Sequence, residues 1–403
     1  MFVGDIRKIK LGTSSFESII TSGSLYIDKS LFIEHFLNEA PDVQLIARQR
    51  RLGKSLNLDM LKCFLTDRQD YRPLFEALSI RKSPVWESAH SAPVFLFDFK
   101  GLSRGKYITD IKDMIEQAVS GYVSDPKCPA YLLKSYMKWE TGETSATNGI
   151  KLLTAIVHAV TGKKPYVLID EYDEMLTDNM ENDCYDEIRE FMSSLLSAGL
   201  KGNEHLQKGL LTGVMRISYE GMLSGLNNLQ TYDVFRDNAY AVDYGLTEYE
   251  VGELSEAAGF DRETSRQWYN GIKIGGHAIY NTYGVMSMIH FKSFDCYWAA
   301  SGTMETITSI MNARQKRTII QLLEDGVKME VGMEEKISPR QLFKQITDSM
   351  FYSFLVQAGY LSLEGKGRTT GSVAIPNLEL KDVWERFLLS NFYNNPDIGK
   401  REV

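Results

Sequence analysis

Arg48-Gln49-Arg50-Arg51-Leu52-Gly53-Lys54-Ser55 lies between a short apolar run, Val43-Gln44-Leu45-Ile46, and a segment with helical spacing over 55–66, where Leu58, Leu61 and Leu65 share one side. A strand, a tight basic loop ending in Gly-Lys-Ser, and a helix together read as a phosphate-binding loop. The first turn of a helix leaves backbone N–H groups unpaired and carries partial positive charge, so an anion fits there. Gly53 allows close backbone approach, Lys54 reaches terminal phosphates, and the Ser55 hydroxyl suits Mg²⁺. The full pattern has glycine where this chain has Arg48, so the residues alone also allow a plain basic turn before a helix.

A second stretch bears on the choice. Tyr166-Val167-Leu168-Ile169-Asp170-Glu171-Tyr172-Asp173 is an apolar strand ending in carboxylates. Strands of parallel sheets are buried on both faces and read as continuous apolar runs, and ligands of open α/β sheets sit beyond their carboxyl ends. Asp170 there suits Mg²⁺ held through water, and Glu171 suits a base that aims an attacking water. The alternative is a solvated acidic strand end. A third run, Leu210-Leu211-Thr212-Gly213-Val214-Met215-Arg216, puts Thr212 and Arg216 where they would hydrogen-bond the γ-phosphate and neutralise developing charge. An arginine after a strand also reads as a surface charge.

These stretches resemble, in order, the bacterial AAA-ATPase-like P-loop family. The resemblance rests on Tyr26-Ile27-Asp28-Lys29-Ser30, the loop 48–55, Ile169-Asp170-Glu171-Tyr172-Asp173 and Thr212-Gly213-Val214-Met215-Arg216. It continues through Trp268-Tyr269-Asn270-Gly271, Gly359-Tyr360-Leu361 and Ile375-Pro376-Asn377. In that family the position of Arg48 is itself arginine, so the resemblance favours a nucleotide loop. Gln49 replaces a usual proline and Leu52 a usual phenylalanine. The resemblance implies ATP and Mg²⁺ as ligands, with Arg50, Arg51, Leu52, Gly53, Lys54, Ser55 and Asp170 holding them and Glu171, Thr212 and Arg216 acting in hydrolysis. Members often carry a C-terminal PD-(D/E)xK nuclease-like domain, for which this chain leaves little room. Glu379-Leu380-Lys381 has the spacing of a nuclease site but reads better as a helix start.

Five apolar strands, at 44–47, 93–99, 166–169, 210–214 and 239–242, alternate with helical patterns. That alternation implies an α/β fold with a parallel sheet covered by helices. The family analogy orders the sheet 5-1-4-3-2. Residues 1–40 read as an N-terminal extension packed on the core, 41–245 as the P-loop core, and 246–403 as a mainly helical, winged-helix-like region. Within the last, Thr247-Glu248-Tyr249-Glu250 is a capping box, and Ser338-Pro339 opens a helix expected to run to Gly359. Two strand-like runs then form a hairpin whose tip carries Lys366 and Arg368. The aromatics of 260–300 read first as core and second as a base-stacking surface.

The balance of 45 basic and 53 acidic residues, net −8, argues against a protein that coats nucleic acid. No apolar run is long enough to span a bilayer, and the start lacks a signal-peptide pattern. Four scattered cysteines and six isolated histidines form no metal pattern. A cytoplasmic protein is expected. Three functions remain in view: a Mg²⁺-dependent ATPase, a nucleotide-gated switch or scaffold serving a protein partner or a second copy, and a nucleic-acid-binding module using the winged-helix region with Arg48, Arg50 and Arg51.

Overall fold

The computed structural model describes residues 2–102, 105–217, 223, 225–236, 238–298, 303–324 and 326–393. The N-terminal part holds β1 (Phe2–Val3), α1 (Phe16–Thr21), β2 (Tyr26–Ile27) and α2 (Leu31–Asn38). Next come β3 (Val43–Ala47), α3 (Lys54–Leu65), a run of 3₁₀ turns over 72–88, β4 (Val94–Asp98), α4 (Tyr107–Val123), α5 (Ala130–Glu140) and α6 (Gly149–Thr161). The central part continues with β5 (Tyr166–Asp170), α7 (Glu174–Thr177), α8 (Tyr185–Leu200), β6 (Lys208–Gly213) and β7 (Leu229–Tyr232).

Strands β4-β5-β6-β3-β7 form a five-stranded sheet with every pairing parallel. In order of occurrence this is 5-1-4-3-2, as expected. One strand, β6, therefore separates β3 from β5, about 10 Å across two strand spacings. That gap at the carboxyl edge is where the loop after β3 and the acids after β5 face each other.

The fifth strand is not 239–242 but Leu229–Tyr232. As an edge strand it exposes Gln230, so it does not read as a buried apolar run. The apolar stretch at 239–242 belongs to a turn, with the Ala241 N–H donating to the Asn238 carbonyl, and Tyr240 and Ala241 are buried.

The remaining chain forms β8 (Leu246–Thr247), α9 (Glu248–Ala258), α10 (Arg262–Tyr269), β9 (Ile272–Ile274), β10 (His277–Tyr280), α11 (Thr282–Phe291) and α12 (Thr303–Ile310). The capping box of Thr247 and Glu250 is complete, with each side chain accepting from the other residue's backbone N–H. Then follow α13 (Ala313–Leu322), β11 (Met329–Gly332), α14 (Pro339–Lys344), α15 (Asp348–Ala358), β12 (Ser362–Lys366), β13 (Thr370–Ala374) and α16 (Leu378–Tyr393). The single helix expected from Ser338 to Gly359 is two. Gln345 leaves helical geometry, and Thr347 caps α15 by accepting from the Met350 N–H. Helix, strand, two helices and a hairpin follow the order of a winged helix, and β11 pairs with β13 to complete its sheet.

Nine consecutive residues of α15, Met350 to Ala358, are buried. In a helix-turn-helix reader the corresponding helix lies in the major groove. Here it faces the protein. One apolar cluster runs from Phe16 through the sheet to Trp384, and a second joins Leu25 and Ile27 to residues of 246–289. Tyr269, Tyr280 and Trp298 are buried, and Phe260, Trp268, Phe294 and Tyr297 are partly buried against the second cluster, so most of the aromatic stretch is packing. Among the described residues no helix is long and apolar enough to cross a membrane.

Candidate functional site

Gly53 stands at φ 89°, in the left-handed region, immediately before the first turn of α3. Arg51, two residues earlier, also has positive φ, at 64°. The chain thus turns sharply from β3 into α3 and brings the amide ends of α3 to the carboxyl edge of the sheet. Leu52 is buried and anchors the turn, and the Gly245 N–H donates to its carbonyl at 2.9 Å. Arg50 and Arg51 are exposed, and the Arg51 guanidinium carbon lies 4.0 Å from the centre of the Tyr283 ring.

Lys54 is 5% exposed, and its Nζ lies 3.4 Å from the Gln49 carbonyl and 4.0 Å from Glu171 Oε1. The loop lysine and the strand-end acid, separated by more than a hundred residues in sequence, therefore meet in space. Glu171 has φ 49°, an uncommon backbone state for a residue with a side chain, of the kind that gathers at functional sites.

Asp170 is buried at the end of β5. Among the described residues its carboxylate accepts two hydrogen bonds, both on Oδ1, from Thr212 Oγ1 at 2.5 Å and from the Glu171 N–H at 3.0 Å. Thr212 is completely buried, and its hydroxyl is engaged with Asp170.

Arg216 is also placed differently from the sequence expectation. Its guanidinium pairs with Asp233 and, at 3.3 Å, with Glu335. Its charge is already shared by two carboxylates, and it does not line the cavity beside the loop.

That cavity has a volume of about 690 Å³. Gly53, Lys54, Ser55 and Glu171 line it, together with the apolar side chains of Ile9, Leu25, Ile27, Leu246 and Met286. Lys29 lines it too, held by Glu250 and the Val242 carbonyl, while Asp28 turns away to Ser79. A second cavity of about 710 Å³ adjoins it, sharing Arg50, Glu171 and Glu174 and backed by Met215 and Phe354.

Arg48 is fully buried, which removes it from any nucleic-acid surface. Nη1 donates to the carbonyls of Ala47 (2.9 Å) and Tyr232 (3.0 Å), and Nη2 to Asn238 Oδ1 (2.9 Å) and the Tyr240 carbonyl (3.2 Å). Burial pushes its pKa down to about 10, so it remains charged at neutral pH. The arginine at this loop position is thus a clamp on the chain between β7 and β8, which returns to the cavity as Asp243, Gly245 and Leu246.

Sequence reasoning gave no role to Tyr172 and Asp173, which fasten the loop after β6. The Tyr172 hydroxyl donates to the Met215 carbonyl at 2.6 Å, and Asp173 accepts from the N–H groups of Val214 (3.0 Å) and Met215 (2.7 Å). Burial, reinforced by Glu171, pushes Asp173 up to about 7. A side chain on Gly213 would fall 2.1 Å from Asp173 Oδ1, so that glycine is required for the close approach. Their adjacency to Asp170-Glu171 was the available signal. Glu379 is likewise structural. It is buried and accepts from the N–H groups of Tyr297 and Trp298, both at 2.8 Å, consistent with a helix start and not a nuclease site.

A parallel sheet of order 5-1-4-3-2, with a Gly-Lys-Ser loop opposite an Asp-Glu strand end, defines a P-loop nucleotide-binding ATPase. The chain belongs to the AAA-ATPase-like family, described as predicted AAA-ATPases, whose model matches residues 10–223. It is 27% identical over 408 positions to an uncharacterized protein in the vnfD 5′ region of Azotobacter chroococcum, covering 98% of this chain and 73% of that one. Among solved structures, a Walker-type ATPase of Pyrococcus abyssi aligns at a TM-score of 0.41 and 14% identity, over 89% of this chain and 94% of that one. The ORC2 protein of Aeropyrum pernix, solved as ADPNP and ADP complexes, aligns at 0.29 and 12%, over 96% and 100%.

Proposed function

We propose that the chain binds ATP in the cavity beside Gly53–Ser55 and hydrolyses it, using the energy to change conformation. The contact between Lys54 and Glu171 is the observation that carries this reading. It supports the reading because a cation suited to gripping phosphate and a carboxylate suited to directing water lie within 4.0 Å of each other. Arg50, Arg51, Leu52 and Gly53 shape the turn, and the free amides of the first turn of α3 with Lys54 take the β- and γ-phosphates. The apolar lining of Ile9, Leu25 and Leu246 takes the base.

The donor set fits Mg²⁺. Ser55 and Asp170 offer hard oxygens, and both bonds to the Asp170 carboxylate lie on Oδ1. Among the described residues no group of three or more His, Cys, Asp and Glu gathers as an all-protein metal cage. A two-oxygen seat completed by phosphates and water is the ordinary arrangement for this ion. When bound, Mg²⁺ supplies neutralisation of charge on the β- and γ-oxygens.

In the free protein Lys54 and Glu171 balance each other. Arrival of the triphosphate draws the Lys54 ammonium onto the phosphates and frees the Glu171 carboxylate. Glu171 then accepts a proton from a water as its oxygen bonds to the γ-phosphorus. The bond from that phosphorus to the bridging oxygen breaks, giving ADP and phosphate. Thr212 holds Asp170 in place, and Arg216, already paired, has no part in the step.

The test is phosphate release by wild type and by Glu171→Gln. The variant should bind ATP like wild type with turnover lowered at least about 100-fold. Wild type that binds ATP yet releases no phosphate would establish the switch reading instead.

A further inference from the structure

One residue of the loop faces away from the cavity. Gln49 is 2% exposed, between β3 and the turn at Gly53. Its carbonyl accepts from Lys54 Nζ at 3.4 Å, while its side-chain Nε2 donates to the Val356 carbonyl of α15 at 3.2 Å. Packing makes the joint close. A side chain at Gly359, which caps α15 at φ 89°, would sit 2.8 Å from Gln49 Cγ. The neighbouring Gln357 contacts the other side of the site, since its Oε1 accepts from the Arg216 N–H at 2.8 Å, just beyond β6. Two consecutive residues of α15 thus touch both the loop after β3 and the loop after β6.

Gln49 Oε1 is buried without a hydrogen-bond partner among the described residues. Such acceptors are rare in folded proteins and call for an explanation. Lys54, at 3.4 Å, holds the Gln49 carbonyl loosely, and gripping phosphate takes the ammonium away from it. The Gln49 carbonyl is then released by Lys54, and the side chain, held by Val356, has an acceptor ready to gain a bond when the loop adjusts.

We propose that Gln49 is a positioning residue that fastens the loop presenting Lys54 to α15, so that nucleotide binding tightens α15 and the docking of α15 strengthens the grip on nucleotide. The two effects are one coupling free energy seen from either end. The inference rests on the assignment of the Gly53–Ser55 loop as the nucleotide site.

The experiment combines ATP affinity with hydrogen exchange over 348–358, with and without MgATP, for wild type, Gln49→Ala and Gln49→Glu. Gln49→Glu keeps the size of the side chain and sets a carboxylate against the Val356 carbonyl. ATP should slow exchange in α15 of wild type. Both variants should bind ATP about fivefold more weakly, the effect of one hydrogen bond, with α15 exchange no longer responding to ATP. A purely structural role would lower stability without uncoupling α15 from bound nucleotide. Wild type that binds ATP with no change in α15, or variants that keep both the affinity and the slowing, would overturn the proposal while leaving the pocket intact. Lys54→Ala binding ATP as well as wild type would overturn the pocket assignment and the proposal with it.

Discussion

Arg48→Lys keeps the charge and most of the stem but not the geometry. The guanidinium serves four acceptors from two nitrogens: the carbonyls of Ala47 and Tyr232 at Nη1, and Asn238 and Tyr240 at Nη2. A lysine ammonium is a single nitrogen and can stand in for only one of those positions. Two charge-assisted bonds are lost, and the acceptors left behind are in the interior, at about 1.5 kcal/mol or more each. The expected loss is about 3 kcal/mol, read by urea unfolding followed through tryptophan fluorescence. ATP affinity should fall as well, by less than about tenfold, because Asp243, Gly245 and Leu246 line the cavity but are not among the proposed phosphate ligands. A stability change under about 0.5 kcal/mol would refute the reasoning, since it would mean that the four bonds do not hold the chain between β7 and β8.

Further outcomes follow from the same site. Lys54→Ala should abolish binding of a fluorescent ATP analogue; retained binding would displace the pocket from this loop. Thr212→Val removes the donor that holds Asp170 Oδ1 and should raise the Mg²⁺ concentration needed for half-maximal ATP binding about tenfold, read by Mg²⁺ titration. Asp173 and Glu379 are both held by burial at about 7, above their ordinary values of 3.8 and 4.5. The folded protein therefore keeps protons that the unfolded chain has released, and their contribution to stability is greatest at low pH and is lost as pH rises toward 7. The thermal midpoint should fall between pH 5 and 7, and Asp173→Asn should flatten that slope.

The fold was readable where burial left a continuous apolar signature. β3, β5 and β6 are buried on both faces, and their order and register placed the Gly-Lys-Ser turn opposite Asp170 and Glu171. The edge strand Leu229–Tyr232 escaped because one face meets water, and the apolar turn at 239–242 took its place in the reading. At the site, residue types that need a particular loop or strand end, such as Gly53 and Asp170, announced themselves. Long-range partnership did not. Nothing in the residues around Arg216 foretells Asp233 and Glu335, and nothing around Arg48 or Thr212 foretells that their polar groups are spent inside the protein. The burial of α15 was hidden for a related reason: its sequence fits equally a helix that packs on its own small domain and one that packs on a distant loop.

The bond between Gln49 and Val356 also has a history within each newly made molecule. The two residues are 307 positions apart, so at a synthesis rate of roughly 5–20 residues per second the first leaves the ribosome about 15–60 s ahead of the second. The sheet can begin to assemble in that interval, but its loop must wait for α15 before this joint can form.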